Sequence, residues 1–255
     1  YGAGMEGALQ QRGSDLFGIL NGIDVAEWNP EVDSLIAKQF SAQRLAGKRA
    51  CREELVKLGN LDKDSQHPLI GITSRLVDAK GFDLIEKAIE DLMKLDAQYF
   101  ILGTGDAKHE QLLKETAAKY PGRMNVHIGY DVPLSHKVIA GADIFLMPSR
   151  YEPCGLTQMY SMKYGTIPIV RKTGGLSDTV FPATRTSIDA GHGTGFLFTE
   201  YDSDDMVASC KEAIDLFKTH PTVWHTLMKN AMQQDFSWQR SAEEYEELYR
   251  GIPSE

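Results

Sequence analysis

The chain has 255 residues, 42% hydrophobic and 25% charged, with a formal net charge of −9. That is enough to bury the core of one α/β domain with appendages, and the acidity opposes a phosphate-backbone footprint, which needs clustered Lys and Arg. No stretch approaches the ~20 apolar residues that cross a bilayer, so a soluble, intracellular protein is expected, with neither nucleic acid nor membrane as partner.

The start, Tyr1-Gly2-Ala3-Gly4, has neither the basic region nor the apolar core of a signal peptide. It lacks an initiator Met and runs through a Gly-rich, polar segment, which reads as a piece of a longer chain. Residues 31 to 59 are polar with helical tendency, and their few apolar positions, Leu35, Ile36, Phe40, Leu55, Val56 and Leu58, predict a solvated helix pair at the domain edge. From Pro68 the pattern becomes regular. The run 69–72 is followed by Leu84, Ile85, Ala88, Ile89 and Leu92 at helical spacing. The runs 99–102, 126–128 and 144–147 precede helices near 107–119, 134–141 and 156–164, and 167–170 and 195–198 follow. Runs this apolar fit strands covered on both faces, so the fold class is α/β, a Rossmann-like doubly wound parallel sheet. Helices are then predicted at about 203–218, 221–233 and 238–250.

Cys51, Cys154 and Cys210 are odd in number and far apart, giving neither a disulfide framework nor a CxxC site. Cys51 and Cys210 read as plain packing or surface residues. The seven histidines include no HExxH, and no metal is expected.

Ligands of such sheets bind beyond the carboxyl ends of the strands. Gly103-Thr104-Gly105-Asp106 begins like a dinucleotide fingerprint, but Lys108 stands where the third glycine belongs, so the glycines read as a turn or a close backbone approach. Ser74-Arg75-Leu76 and Lys80-Gly81 place two cations in a loop before a helix. There they oppose the macrodipole unless an anion lies between them, and a diphosphate would fit: the Arg as a planar fork, the Lys as a point charge. In the loop after 144–147, the Glu152 carboxylate can accept from vicinal sugar hydroxyls. Gly155 permits close approach, and the amides of Leu156 and Thr157 open a helix.

Ser149 to Gln158, with Tyr164-Gly165-Thr166 and Lys172 to Val180, resembles the bacterial glycogen synthases and related starch synthases. Gly18 to Asp24, Trp28-Asn29-Pro30, Ala140-Gly141-Ala142-Asp143, Gly193 to Phe196 and Asp235 to Trp238 agree. The resemblance implies the C-terminal half of a GT-B fold: an interdomain segment 1–22 that ends the N-terminal domain, a nucleotide-sugar-binding domain 23–235, and a crossover helix 236–255. It implies retaining transfer of glucose from ADP-glucose, occasionally UDP-glucose, to the 4-OH of an α-1,4-glucan, with ADP as product and no further cofactor. Arg75 and Lys80 would hold and neutralise the diphosphate, and Glu152 would bind the donor glucose. Cys154, Gly155 and Leu156 would line the glucose through their backbone, Thr157 would contact phosphate, and Tyr130, after Gly129, would stack on adenine. Arg75, Lys80 and Glu152 are the catalytic candidates. The broader GT-B pattern has a second glutamate eight positions after the first; here it is Tyr160, as in the glycogen synthases. A tyrosine also argues against the related phosphorylases, whose lysine there carries a Schiff base. Lys172, in a string like one from the family's N-terminal domain, is given no donor-binding role. The implied partners are ADP-glucose, the glucan and the chain's own N-terminal domain, in a bacterial cytoplasm or, for a plant-type enzyme, a plastid. The rival reading is a nucleotide-binding module that catalyses nothing without that domain.

Overall fold

The apolar runs become six strands of one parallel sheet, ordered β3-β2-β1-β4-β5-β6, in a computed structural model that describes residues 4–251. They are β1 (Leu69–Thr73), β2 (Gln98–Gly103), β3 (Met124–Ile128), β4 (Ile144–Met147), β5 (Ile167–Arg171) and β6 (Phe196–Phe198). The helices are α1 (Glu6–Arg12), α2 (Ala46–Leu58), α3 (Phe82–Lys94), α4 (Ala107–Lys119), α5 (Val132–Gly141), α6 (Thr157–Lys163), α7 (Gly174–Thr179), α8 (Arg185–Asp189), α9 (Ser203–Thr219), α10 (Pro221–Met232) and α11 (Trp238–Arg250). Residues 1–3 and 252–255, the outermost parts of the expected interdomain segment and crossover helix, lie outside the described range.

Because side chains alternate across a sheet, each central strand feeds two cores. Ile70, Ile101, Ile144 and Leu146 pack with the α3 and α9 face. Leu69, Phe100, Leu102 and Phe145 pack against α2 and α5. This double coverage explains the absence of a polar alternate face in the strand sequences. Strand order reverses between β1 and β4, which pair through Ile70–Ile144 and Gly71–Phe145, and the loops leaving these two strands flank the crevice.

Residues 31–59 depart from expectation. Only α2 is helical; residues 31–45 form turns instead. Asp33 Oδ1 accepts from the Leu35 amide at 2.8 Å, and the Phe40 amide donates to Pro30 O at 2.9 Å. These local bonds replace a helical ladder. Nor is the segment merely solvated: Ile36, Phe40, Cys51, Leu55 and Val56 are buried. So is Lys48, whose ammonium donates to Ala140 O, Tyr164 O and Thr166 Oγ1 at 3.1, 3.0 and 2.7 Å. These bonds tie α2 to the ends of α5 and α6. Cys51 and Cys210 are buried packing residues.

At the chain's two ends the Ile23 amide donates to Phe236 O at 2.7 Å, and Ser241 Oγ donates to Leu20 O. Ser241 is the one buried residue of α11 among those described; Trp238, Tyr245 and Tyr249 are exposed. No described helix is long and apolar enough to cross a membrane.

Candidate functional site

The loops after β1 and β4 are fastened to each other at the switch point. The Arg150 amide donates to Ala79 O at 3.1 Å, and Gly81, at φ +83°, lies so close to Pro148 that a Cβ would sit 2.1 Å from its carbonyl oxygen. Any other residue there would push the loops apart. The junction brings Lys80 Nζ to 2.5 Å from Glu152 Oε2, with side chains 23% and 9% exposed, and Ser149 Oγ donates to the same oxygen at 3.2 Å. The pair walls a cavity of about 50 Å³ that Gly155, Leu156 and Thr157 close from the start of α6. The first amides of a helix have no intrahelical acceptor. Thr73 Oγ1, on the same wall, is buried without a partner.

Thr73 and Ser74 also line an adjoining cleft of about 360 Å³, shared with Arg75, Gly103, Thr104, Gly129 and Tyr130. Arg75 is exposed, and its guanidinium makes no hydrogen bond or ion pair among the described residues. Tyr130 is 90% exposed at the cleft mouth rather than packed in the core. Gly103 and Gly105 serve backbone approach: Cβ atoms would lie 2.0 and 2.4 Å from Ser74 O and Leu76 O. Glu27 and Trp28 also line this cleft. The indole is stacked between His136 at 3.8 Å and Tyr160 at 4.0 Å. Asp33 Oδ2 braces this stack from behind, 2.8 Å from His136 Nδ1 and accepting from Tyr164 OH at 2.6 Å.

The Glu152 loop is held from three further directions. The buried Arg171 guanidinium donates to Ser149 O at 3.1 Å and Arg150 O at 2.7 Å. Gly174 and Gly175 open α7 directly beneath the loop, with Cβ positions 2.1 Å from Glu152 O and 2.2 Å from Cys154 O, and the Gly175 amide donates to Glu152 O at 3.1 Å. Gln158 Nε2 donates to Cys154 O and Gly155 O. The Arg150 and Arg171 guanidiniums both lie over the Tyr201 ring, with their carbons 4.6 and 5.3 Å from its centroid. The Tyr201 hydroxyl donates to Asp83 Oδ1 and lies 3.1 Å from Asp78 O. Burial, then the Asp83 bond, pushes this phenol up to about 12, so it stays a donor at neutral pH. Tyr201, and then Asp83, which accepts from Arg150 at 2.8 Å, raise this guanidinium further above its ordinary range.

Arg75, Lys80, Gly129, Tyr130, Glu152, Gly155, Leu156 and Thr157 thus come together around two adjoining cavities. Cys154 does not line them; its side chain packs against the main core while its carbonyl serves Gln158. Glu27 and Tyr201 were not singled out in the sequence, since each reaches the site from a segment distant in chain order; Trp28 stood out only as a family landmark, and Arg171 only as the start of a loop at the ligand end of the sheet. Among the described residues the fold also gathers one trio of metal-type ligands, Asp78, Asp106 and His109, with ligand atoms within 4.8 Å of one another. Asp78 Oδ1 already faces Lys108 Nζ at 3.1 Å and His109 Nε2 at 2.8 Å.

Residues 57–221 match the family model described as glycosyl transferases group 1. The chain is 45% identical over 249 residues to a glycogen synthase of Thermosipho africanus, covering 98% of this chain and 51% of the relative. It is 46% identical over 252 residues to one of Koribacter versatilis, covering 98% and 50%. Among solved structures it is similar to the catalytic domain of starch synthase IV from Arabidopsis thaliana bound to ADP and acarbose, with TM-score 0.90 and 38% identity over 98% of this chain and 51% of that one. The chain spans about half the length of the curated relatives it matches.

Proposed function

The chain belongs to the group 1 glycosyl transferases, and from that premise we propose that it is the donor-binding half of a glycogen-synthase-type enzyme that transfers glucose from ADP-glucose to the 4-OH end of an α-1,4-glucan with retention. The observation that carries the proposal is the Lys80–Glu152 pair on the wall of a cavity that opens beside Arg75 and Tyr130. An ammonium has three donors; one serves Glu152, leaving two for phosphate oxygens. Arg75, without a partner among the described residues, supplies a second positive charge for the diphosphate, and the opening of α6 offers amides to it. Glu152 then has lone pairs left for the hydroxyls of the glucose. In this reading the glucose–phosphate bond weakens as the two cations take up charge on the leaving oxygen. The acceptor hydroxyl attacks from the same face, and the departing phosphate takes its proton. No side chain acts as nucleophile, and the two cations do the neutralising, so the reading calls on no cofactor.

The acceptor groove and the rest of the donor contacts belong, on this reading, to a partner N-terminal domain, which accords with coverage of about half of each relative. A bacterial cytoplasm is the setting inferred from the relatives' sources. The test is calorimetry of the 255-residue chain with ADP and with UDP, beside a glucose-transfer assay on an α-1,4-glucan. ADP binding without transfer by the chain alone, and transfer once the N-terminal domain is present, is the expected outcome. Absence of nucleotide binding by the folded chain overturns the proposal.

A further inference from the structure

The larger cleft is lined by two carboxylates, Glu27 and Asp131. Asp131 is engaged as the N-cap of α5, accepting from the Leu134 amide at 2.8 Å. Glu27 accepts no hydrogen bond among the described residues; it is 57% exposed, and the nearest group that could carry positive charge, His136 Nε2, is 4.0 Å away. Its backbone is nevertheless fixed. Asp24 Oδ1 accepts from the Ala26 and Glu27 amides at 2.8 and 3.2 Å, the Trp28 amide donates to Asp24 O at 2.8 Å, and the stacked indole anchors the next residue.

A held carboxylate that accepts no hydrogen bond among the described residues, on the wall of a cleft that also carries Arg75, would repel a diphosphate, unless it faces a part of the ligand that donates hydrogen bonds. With the base at Tyr130 and the diphosphate at Arg75, the donors between those ends are the two ribose hydroxyls, and a vicinal diol is what a free carboxylate accepts best. Resting on the donor-site reading above, we propose that Glu27 is a specificity-determining residue, which selects ribonucleotides by accepting from a ribose hydroxyl. A hydrogen bond to a charged acceptor is lost whole when the hydroxyl is missing, so deoxy analogues bind more weakly.

The experiment is calorimetry of the 255-residue chain and of Glu27→Gln with ADP, 2′-deoxy-ADP and 3′-deoxy-ADP, with thermal melts to confirm that the variant is folded. The wild type should bind at least one deoxy analogue about ten-fold more weakly than ADP. In Glu27→Gln, ADP affinity should fall toward the deoxy value and the discrimination should collapse to about two-fold or less. Wild-type binding without discrimination overturns the inference and leaves the donor site standing. So does full discrimination in Glu27→Gln, which would move the contact to another group such as Asp131. No ADP binding by the wild type removes the donor reading and this inference with it.

Discussion

Replacing Lys80 with methionine separates the two things this lysine does. It neutralises Glu152 at 2.5 Å, with side chains 23% and 9% exposed, and it is proposed to hold the diphosphate. Removing one partner of a fully buried pair costs about 3–5 kcal/mol, and an exposed pair contributes about 0–1 kcal/mol. This pair lies between them, and Ser149 Oγ remains as a donor to Glu152, so Lys80→Met should cost about 2 kcal/mol. For a chain of this size that lowers Tm by about 4–8 °C. The double variant Lys80→Met/Glu152→Gln should recover most of the loss, because no unpaired carboxylate remains. Toward ADP, one charge-assisted bond to phosphate is missing in both variants, about 1.5–3 kcal/mol, or a 10- to 100-fold weaker Kd. Melts and calorimetry on the wild type, both single variants and the double variant complete the cycle. Stability recovered while ADP binding stays weak is the expected pattern. Wild-type ADP affinity in Lys80→Met, or affinity restored by adding Glu152→Gln, would refute a direct contact between Lys80 and the diphosphate.

Tyr130 is 90% exposed, so Tyr130→Ala should leave stability within about 0.5 kcal/mol and weaken ADP about ten-fold through lost stacking, a contribution of about 1–3 kcal/mol; calorimetry and melts read both. Gly174→Ala places a Cβ 2.1 Å from Glu152 O at φ +44°, so it should cost about 1–3 kcal/mol. By displacing the Glu152 loop it should weaken ADP-glucose more than ADP, and an equal effect on both would contradict the sugar role of Glu152. Burial pushes the Lys48 ammonium down from 10.5 to about 8. Between those values the unfolded chain binds the proton that the folded chain has lost, so this group makes stability rise from pH 8 to 10.5, by on the order of 3 kcal/mol over the window. Denaturant titrations across that range should show the rise in the wild type relative to Lys48→Met, and parallel pH profiles would contradict it.

The strands were legible because both faces of the sheet are covered, leaving uninterrupted apolar runs such as 99–102 and 144–147, and the switch point then named the loops that hold Arg75, Lys80 and Glu152. What was not legible depends on contacts across chain distance. Trp28 and Glu27 enter the cleft from a turn far from the sheet in sequence, and Tyr201 reaches the Lys80 loop from beyond β6. The turns of residues 31–45 compete with a helix through single side-chain bonds such as that of Asp33, which composition does not reveal. Lys48 was within reach. It shares the i, i+3, i+7 face of α2 with Cys51 and Leu55, both buried, so periodicity already placed it inward. Gly174 and Gly175 carried a weaker signal. Their string resembles one from the family's N-terminal domain and was given no donor-binding role here, and their place beneath Glu152 makes them its support.

A crystal structure of the chain with ADP-glucose tests the central claim most directly. The account predicts the diphosphate between Arg75 and Lys80 and the base on Tyr130. It also places the glucose hydroxyls on Glu152, with Lys80 still bound to that carboxylate. A nucleotide bound away from the β1–β4 crevice, or a glucose that does not touch Glu152, would contradict it.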